Sequence, residues 1–173
     1  MKISQLRQLI REEIKSLQNP PDIEDKIQQY IKNGSKGNLD LSETQVRSFD
    51  SLKRVGGTLD LMLSKRIKSL ENIEFIGDDL EGDYSGLQTL GNLKYVGGYT
   101  SISHTSIESL GNLEYIGKGL YSVSSKLQSF GNLKKVEGNI VVFGSPIAKK
   151  FTEEEIRQQI DVSGEIILKG RGE

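Results

Sequence analysis

The chain has 173 residues, 27% of them charged, a formal net charge of −1 and a single histidine. This near-neutral balance supplies no field to gather nucleic acid or an anionic membrane. The absence of Cys excludes a disulfide framework and thiolate metal sites, His104 alone cannot build a multi-histidine centre, and no apolar run approaches the length that spans a bilayer.

The opening MKISQLRQLIREEIKSL spreads charge along its length and lacks the compact apolar stretch and cleavage site of an export signal. Its spacing predicts a helix over 4–18, capped by Ser4, with Ile3, Leu6, Ile10, Ile14 and Leu17 forming an apolar stripe. Arg7, Arg11 and Lys15 follow one another at i, i+4 on the other side, and Asn19-Pro20-Pro21 ends the segment. Three roles are open to this leader, residues 1–19. It folds back onto the rest of the chain, docks into a larger assembly, or lies on a membrane surface, where Glu12 and Glu13 dilute its basic side. A second helical segment over 20–37 places Ile23, Ile27, Tyr30 and Ile31 on one face, as an N-terminal cap requires.

From residue 38 to 148 the chain repeats itself. SFDSLKRVGG from Ser48, SLENIEFIGD from Ser69, TLGNLKYVGG from Thr89, SLGNLEYIGK from Ser109 and SFGNLKKVEG from Ser129 begin 21, 20, 20 and 20 residues apart. Superposed, they give six apolar columns. The first holds Leu39, Leu59, Leu80, Leu120 and Ile140, with Thr100 as its exception, and the sixth holds Val55, Ile76, Val96, Ile116 and Val136. The first two columns are two residues apart, the spacing of a strand with one buried face. The spacings of the others suit turns and corners. A single coil exposes its apolar row, so stacking is the only way to bury it.

The polar columns have structural readings. Gly56, Gly57, Gly77, Gly97, Gly98, Gly117 and Gly119 lie where the chain turns into the strand, and are expected to supply positive φ. Asn72, Asn92, Asn112 and Asn132 are expected to bond turn backbone from coil to coil, and Thr44, Ser85, Thr105, Ser125 and Ser145 form a hydroxyl column with no base beside it.

The last segment, 149–173, reads as a closing helix and strand. FTEEEIRQQI carries a capping box from Thr152 to Glu155, with Ile156 and Ile160 continuing two columns, and GEIIL extends the first two through Ile166 and Leu168.

The motif at 110–122, LGNLEYIGKGLYS, and its counterpart LGNLKYVGGYTSI at 90–102 resemble the receptor L-domain branch of leucine-rich repeats. That resemblance covers 38–148 and implies a mainly β, right-handed solenoid of six to seven coils with helical caps, used for binding. The opening MKISQLRQLIREEI resembles leader helices of proteins encoded by large tailed bacteriophages. It implies a virion or particle component as one destination; otherwise the expected location is the cytoplasm.

Residues alternating with the buried strand columns point outward. They run from acidic (Asp60, Asp79, Glu81, Asp83) to aromatic and aliphatic. Tyr99, Tyr121, Val123, Val141, Phe143 and Ile167 are expected to form one contiguous patch for a protein partner. The acidic residues are read as a solvated face with Ca²⁺ binding as the alternative, and His104 as an ordinary surface residue. Convergent acids and bases in a cleft are missing, so the expectation is a non-enzymatic module without metal or cofactor. A protein or a larger assembly is the expected partner and a glycan the alternative.

Overall fold

The computed structural model describes residues 3–17, 20–49 and 51–170, with side chains described for 3–11 of the first helix. It is a β-solenoid of about five turns, built almost wholly from parallel two-residue strands, with short helices at either end of the chain. Helices α1 (Ile3–Leu17) and α2 (Pro21–Lys32) come first, then strands β1 (Leu39–Asp40), β2 (Arg54–Val55), β3 (Leu59–Asp60), β4 (Phe75–Ile76), β5 (Leu80–Glu81) and β6 (Tyr95–Val96). The chain continues through β7 (Thr100–Ser101), β8 (Tyr115–Ile116), β9 (Leu120–Tyr121), β10 (Lys135–Val136) and β11 (Ile140–Val141). Helices α3 (Ile147–Lys150) and α4 (Glu153–Gln159) precede β12 (Asp161–Val162) and β13 (Ile166–Ile167).

Odd-numbered strands form one seven-stranded sheet in the order β1-β3-β5-β7-β9-β11-β13, and even-numbered strands form a second sheet of six. The register of the first sheet superposes Leu39, Leu59, Leu80, Thr100, Leu120, Ile140 and Ile166, all buried. The second superposes Val55, Ile76, Val96, Ile116, Val136 and Val162, also buried. The sixth column, expected in turns and corners, is therefore a second sheet: its β-branched residues pair in register with the coils on either side.

Two details of the polar columns differ from expectation. None of Gly56, Gly57, Gly77, Gly97, Gly98, Gly117 and Gly119 has a positive φ. The requirement is close approach. A Cβ at Gly77 would overlap the carbonyl oxygen of Gly56, one at Gly97 that of Gly77, and one at Gly117 that of Gly97. The turns after Ile67, Leu87, Ile107 and Leu127 are held by hydroxyls: Ser69, Thr89, Ser109 and Ser129 accept from the amides two residues on, at 2.9 to 3.1 Å. The four asparagines are exposed, and Asn112 donates to the Gly91 carbonyl at 3.2 Å.

The hydroxyl column closes the corner after the first sheet. Thr44 and Thr105 each donate to the carbonyl three residues earlier at 2.7 Å, and the Ser125 and Ser145 hydroxyls lie 2.9 Å apart. Ser85, Thr105, Ser125 and Ser145 are buried, which suits closing a corner and offers nothing to a substrate.

One apolar core runs the length of the solenoid and takes in Ile23, Ile27 and Tyr30 of α2 at one end, and Ile156, Ile160 and Ile166 at the other. Tyr30 Oη donates to Gly37 O at 2.7 Å and accepts from Gly56 N at 3.0 Å, tying α2 to the first coils. The α4 capping box forms as the sequence indicates: Glu155 N reaches Thr152 Oγ1 at 3.3 Å, and Thr152 N reaches Glu155 Oε2 at 2.9 Å. Among the described residues no helix is long and apolar enough to cross a membrane.

Candidate binding face

The outward column of the first sheet reads Asp40, Asp60, Glu81, Ser101, Tyr121, Val141 and Ile167, each in register with the next. The gradient from acid to apolar residue is thus one continuous stripe down a stiff surface. Beside it, Tyr99 is exposed, and its ring lies 5.9 Å from that of Tyr121 at an interplanar angle of 58°. Tyr121, Val123, Phe143 and Ile167 are half-buried.

Val141 departs from the patch expected from the sequence. It is buried, only 8% exposed, on a strand flanked in register by Tyr121 on one side and Ile167 on the other. The face it was expected to offer is supplied by its neighbours.

The acidic half is mostly bound up in the fold. Asp40 accepts from the amide and hydroxyl of Ser42, Asp60 from the amide of Met62, Asp79 from the amide of Tyr99, and Asp83 from the amide of Ser103 and the hydroxyl of Ser101. The Ser42 hydroxyl and amide hold the Asp40 carboxyl below its ordinary pKa. Glu81 is shifted the other way. Partial burial, then repulsion from Asp60, Asp79, Asp83 and Asp40, pushes its carboxyl above the ordinary range. Among the described residues no group of three or more acids or histidines is placed to hold a metal ion.

Where the two halves meet, Met62, Asp79, Glu81, Asp83, Tyr99, Ser101 and Tyr121 line a shallow depression of about 390 Å³. Lys118 stands at its edge, 5.0 Å over the Tyr99 ring and 4.0 Å from Asp79. A second hollow, about 710 Å³, lies beside α3 and α4. Its apolar side chains Ala148, Phe151 and Leu168 are rimmed by Lys149, Lys150 and Lys169 and by Glu153 and Glu155.

The second sheet carries a ladder of aromatic rings. Outward from it, Phe75, Tyr95 and Tyr115 stack in register, with centroids 4.8 and 4.9 Å apart and planes within 8°. Arg54 covers the free face of Phe75 at 5.0 Å. Phe75-Ile76-Gly77, Tyr95-Val96-Gly97 and Tyr115-Ile116-Gly117 place a ring before the sixth column in three consecutive coils, so the signal was present. Inner ring faces are spent on one another, which makes this ladder a stabilising spine and leaves little flat surface for a ligand. His104 likewise stacks on Tyr84, 4.3 Å between centroids, at the left-handed corner following the first sheet.

Ile3, Leu6 and Ile10 are 72, 45 and 47% exposed, with Leu9 beside them at 52%, so these side chains do not pack back onto the solenoid. The side chains of Ile14 and Leu17 lie outside the described residues. Comparison with family models, with curated proteins and with solved structures finds no match to this chain.

Proposed function

We propose that the chain is a non-enzymatic binding or assembly module, a leucine-rich-repeat solenoid of the receptor L-domain type, right-handed, with six to seven coils and helical caps. Its working surface is the first sheet, centred on Tyr99, Tyr121, Val123, Phe143 and Ile167. The observation that carries this reading is the meeting of half-exposed aromatic and aliphatic residues with a row of carboxylates on one rigid surface. Tyr and Phe held on a stiff sheet lose little entropy when a partner covers them, which suits anchors of an interface. The exposed stripe of α1 supplies a second contact and favours a component of a larger particle, the destination that the leader motif suggests.

The test is a double substitution, Tyr121→Ser with Phe143→Ser, in the full-length protein. Partners co-purifying with the native protein are identified by mass spectrometry and compared with those of the variant, after matched thermal melts show that it folds. Loss of a stoichiometric partner supports the reading. An unchanged set of interactions overturns it.

A further inference from the structure

Two surfaces of this chain complement each other in length and charge. The first is α1, whose Ile3, Leu6, Leu9 and Ile10 are exposed. Arg7 lies four residues after Ile3 and three before Ile10, so it borders the stripe and is not opposite it as the sequence pattern first suggests, with Arg11 one turn further on. The second is the sheet face, where Asp79, Glu81 and Asp83 line one depression with Tyr99 and Tyr121, Asp60 lies one strand before Glu81, and Ile167 lies two strands beyond Tyr121.

We infer that α1 of one copy docks on the first sheet of a second copy, apolar stripe against the tyrosine patch and Arg7 and Arg11 toward the carboxylates. This rests on the sheet being the working face and names what it takes: another molecule of the same chain.

The dimensions agree. A 15-residue helix is about 22 Å long at a rise of 1.5 Å per residue. From β3 to β13 there are five strand spacings, about 24 Å. Laid along the solenoid axis, the helix covers the stripe from Asp60 almost to Ile167.

The exposure of Ile3, Leu6, Leu9 and Ile10 favours a second copy over the helix's own chain, whose sheet leaves them uncovered. Three residues, 18–20, join α1 to α2, and Ile23 and Ile27 of α2 are buried against the solenoid's first coils. A helix folding back therefore begins at the acidic end, and its 22 Å reaches Tyr121, four spacings or about 19 Å from β1, but falls short of Ile167, six spacings or about 29 Å away. A helix from another molecule is free of that tether. The larger hollow beside α3 and α4 is the poorer receptor, since its carboxylates are engaged, Glu153 with Arg157 and Glu155 with Thr152, while Lys149, Lys150 and Lys169 would repel Arg7 and Arg11.

Two full-length variants test this in sedimentation equilibrium, one with Leu6→Asp and Ile10→Asp, the other with Tyr121→Ser and Phe143→Ser. Wild type is expected to self-associate with a constant that weakens about tenfold between 50 and 500 mM NaCl, as screened ion pairs require. Each variant alone is expected to be monomeric. Their equimolar mixture should form a heterodimer, because one partner keeps its face and the other its helix. Cysteine pairs make the geometry explicit, since the sequence has no Cys of its own. A Leu6→Cys chain mixed with a Tyr121→Cys chain should yield a crosslinked dimer on mild oxidation.

A monomeric wild type overturns the inference, as does a mixture that stays monomeric. Loss of association in the helix variant alone would mean helix–helix pairing, and loss in the face variant alone a face-to-face dimer; either sinks it. A doubly substituted Leu6→Cys/Tyr121→Cys chain that crosslinks only within itself would place the helix on its own sheet and also refute the proposal. None of these outcomes bears on capture of a different partner by the sheet, which the co-purification experiment decides separately.

Discussion

Asp79 Oδ1 accepts a 2.7 Å hydrogen bond from the backbone amide of Tyr99, one coil further along, and thereby fixes the register at the edge of the first sheet. Asn38 does the same for Thr58 at 3.0 Å, and Asn139 for Glu165 at 2.9 Å. A residue that looks like part of an acidic surface is thus also a rivet between coils. The bond requires the intervening Gly98, where a Cβ would collide with the same Asp79 oxygen.

Close approach of this kind predicts unequal penalties for alanine at different glycines. Gly97→Ala drives a methyl group into the Gly77 carbonyl, a backbone atom that cannot swing aside, and is expected to destabilise by about 2–4 kcal/mol. Gly111→Ala meets nothing within 4 Å but sits at φ +59°, so it should cost about 1–2 kcal/mol. Urea melts of both variants measure this, and equal midpoints would refute the steric account.

Thr100 occupies the first apolar column between Leu80 and Leu120, fully buried, and its Oγ1 has no hydrogen-bond partner. Thr100→Val keeps the shape and removes the desolvated hydroxyl. It is expected to stabilise by about 1–2 kcal/mol. A lower urea midpoint than wild type would show that the hydroxyl is satisfied in solution.

The ring ladder on the second sheet makes Tyr95 its central member, stacked on Phe75 and Tyr115 at once. Tyr95→Ala breaks both contacts and is expected to destabilise by about 2–3 kcal/mol, whereas Tyr95→Phe keeps both ring faces and should stay within about 0.5 kcal/mol of wild type. Thermal melts of the pair separate ring stacking from any contribution of the phenol.

Glu81 gives a pH signature. Its pKa is raised by burial and by the surrounding carboxylates, so the fold disfavours its charged form. With the folded pKa above the unfolded one, the destabilising contribution is present above the folded pKa and is relieved as pH falls through it. Glu81→Gln is therefore expected to raise the melting temperature by about 1–3 °C at pH 7. The gain should vanish once the pH drops below about 4, the ordinary carboxyl range. A gain that persists at low pH would point to packing instead of charge.

The in-or-out alternation and the period of about 20 residues were legible without coordinates, because both are written in residues a few places apart. Leu39, Leu59 and Leu80 superpose for the reason that their spacing implies: an apolar row on one coil is buried only under the row of the next. The capping box at Thr152 and Glu155 was equally local. What depended on neighbours 20 residues away was decided by the tertiary structure. Val141 is buried on a strand flanked in register by Tyr121 and Ile167, and Gly77, Gly97 and Gly117 are required by a carbonyl from the previous coil instead of by their own φ. The second sheet exists because corners that look irregular in one coil pair with the corners above and below. Burial in a solenoid is a property of the stack, so a side chain's exposure is set by the sizes of the residues one turn before it and one turn after.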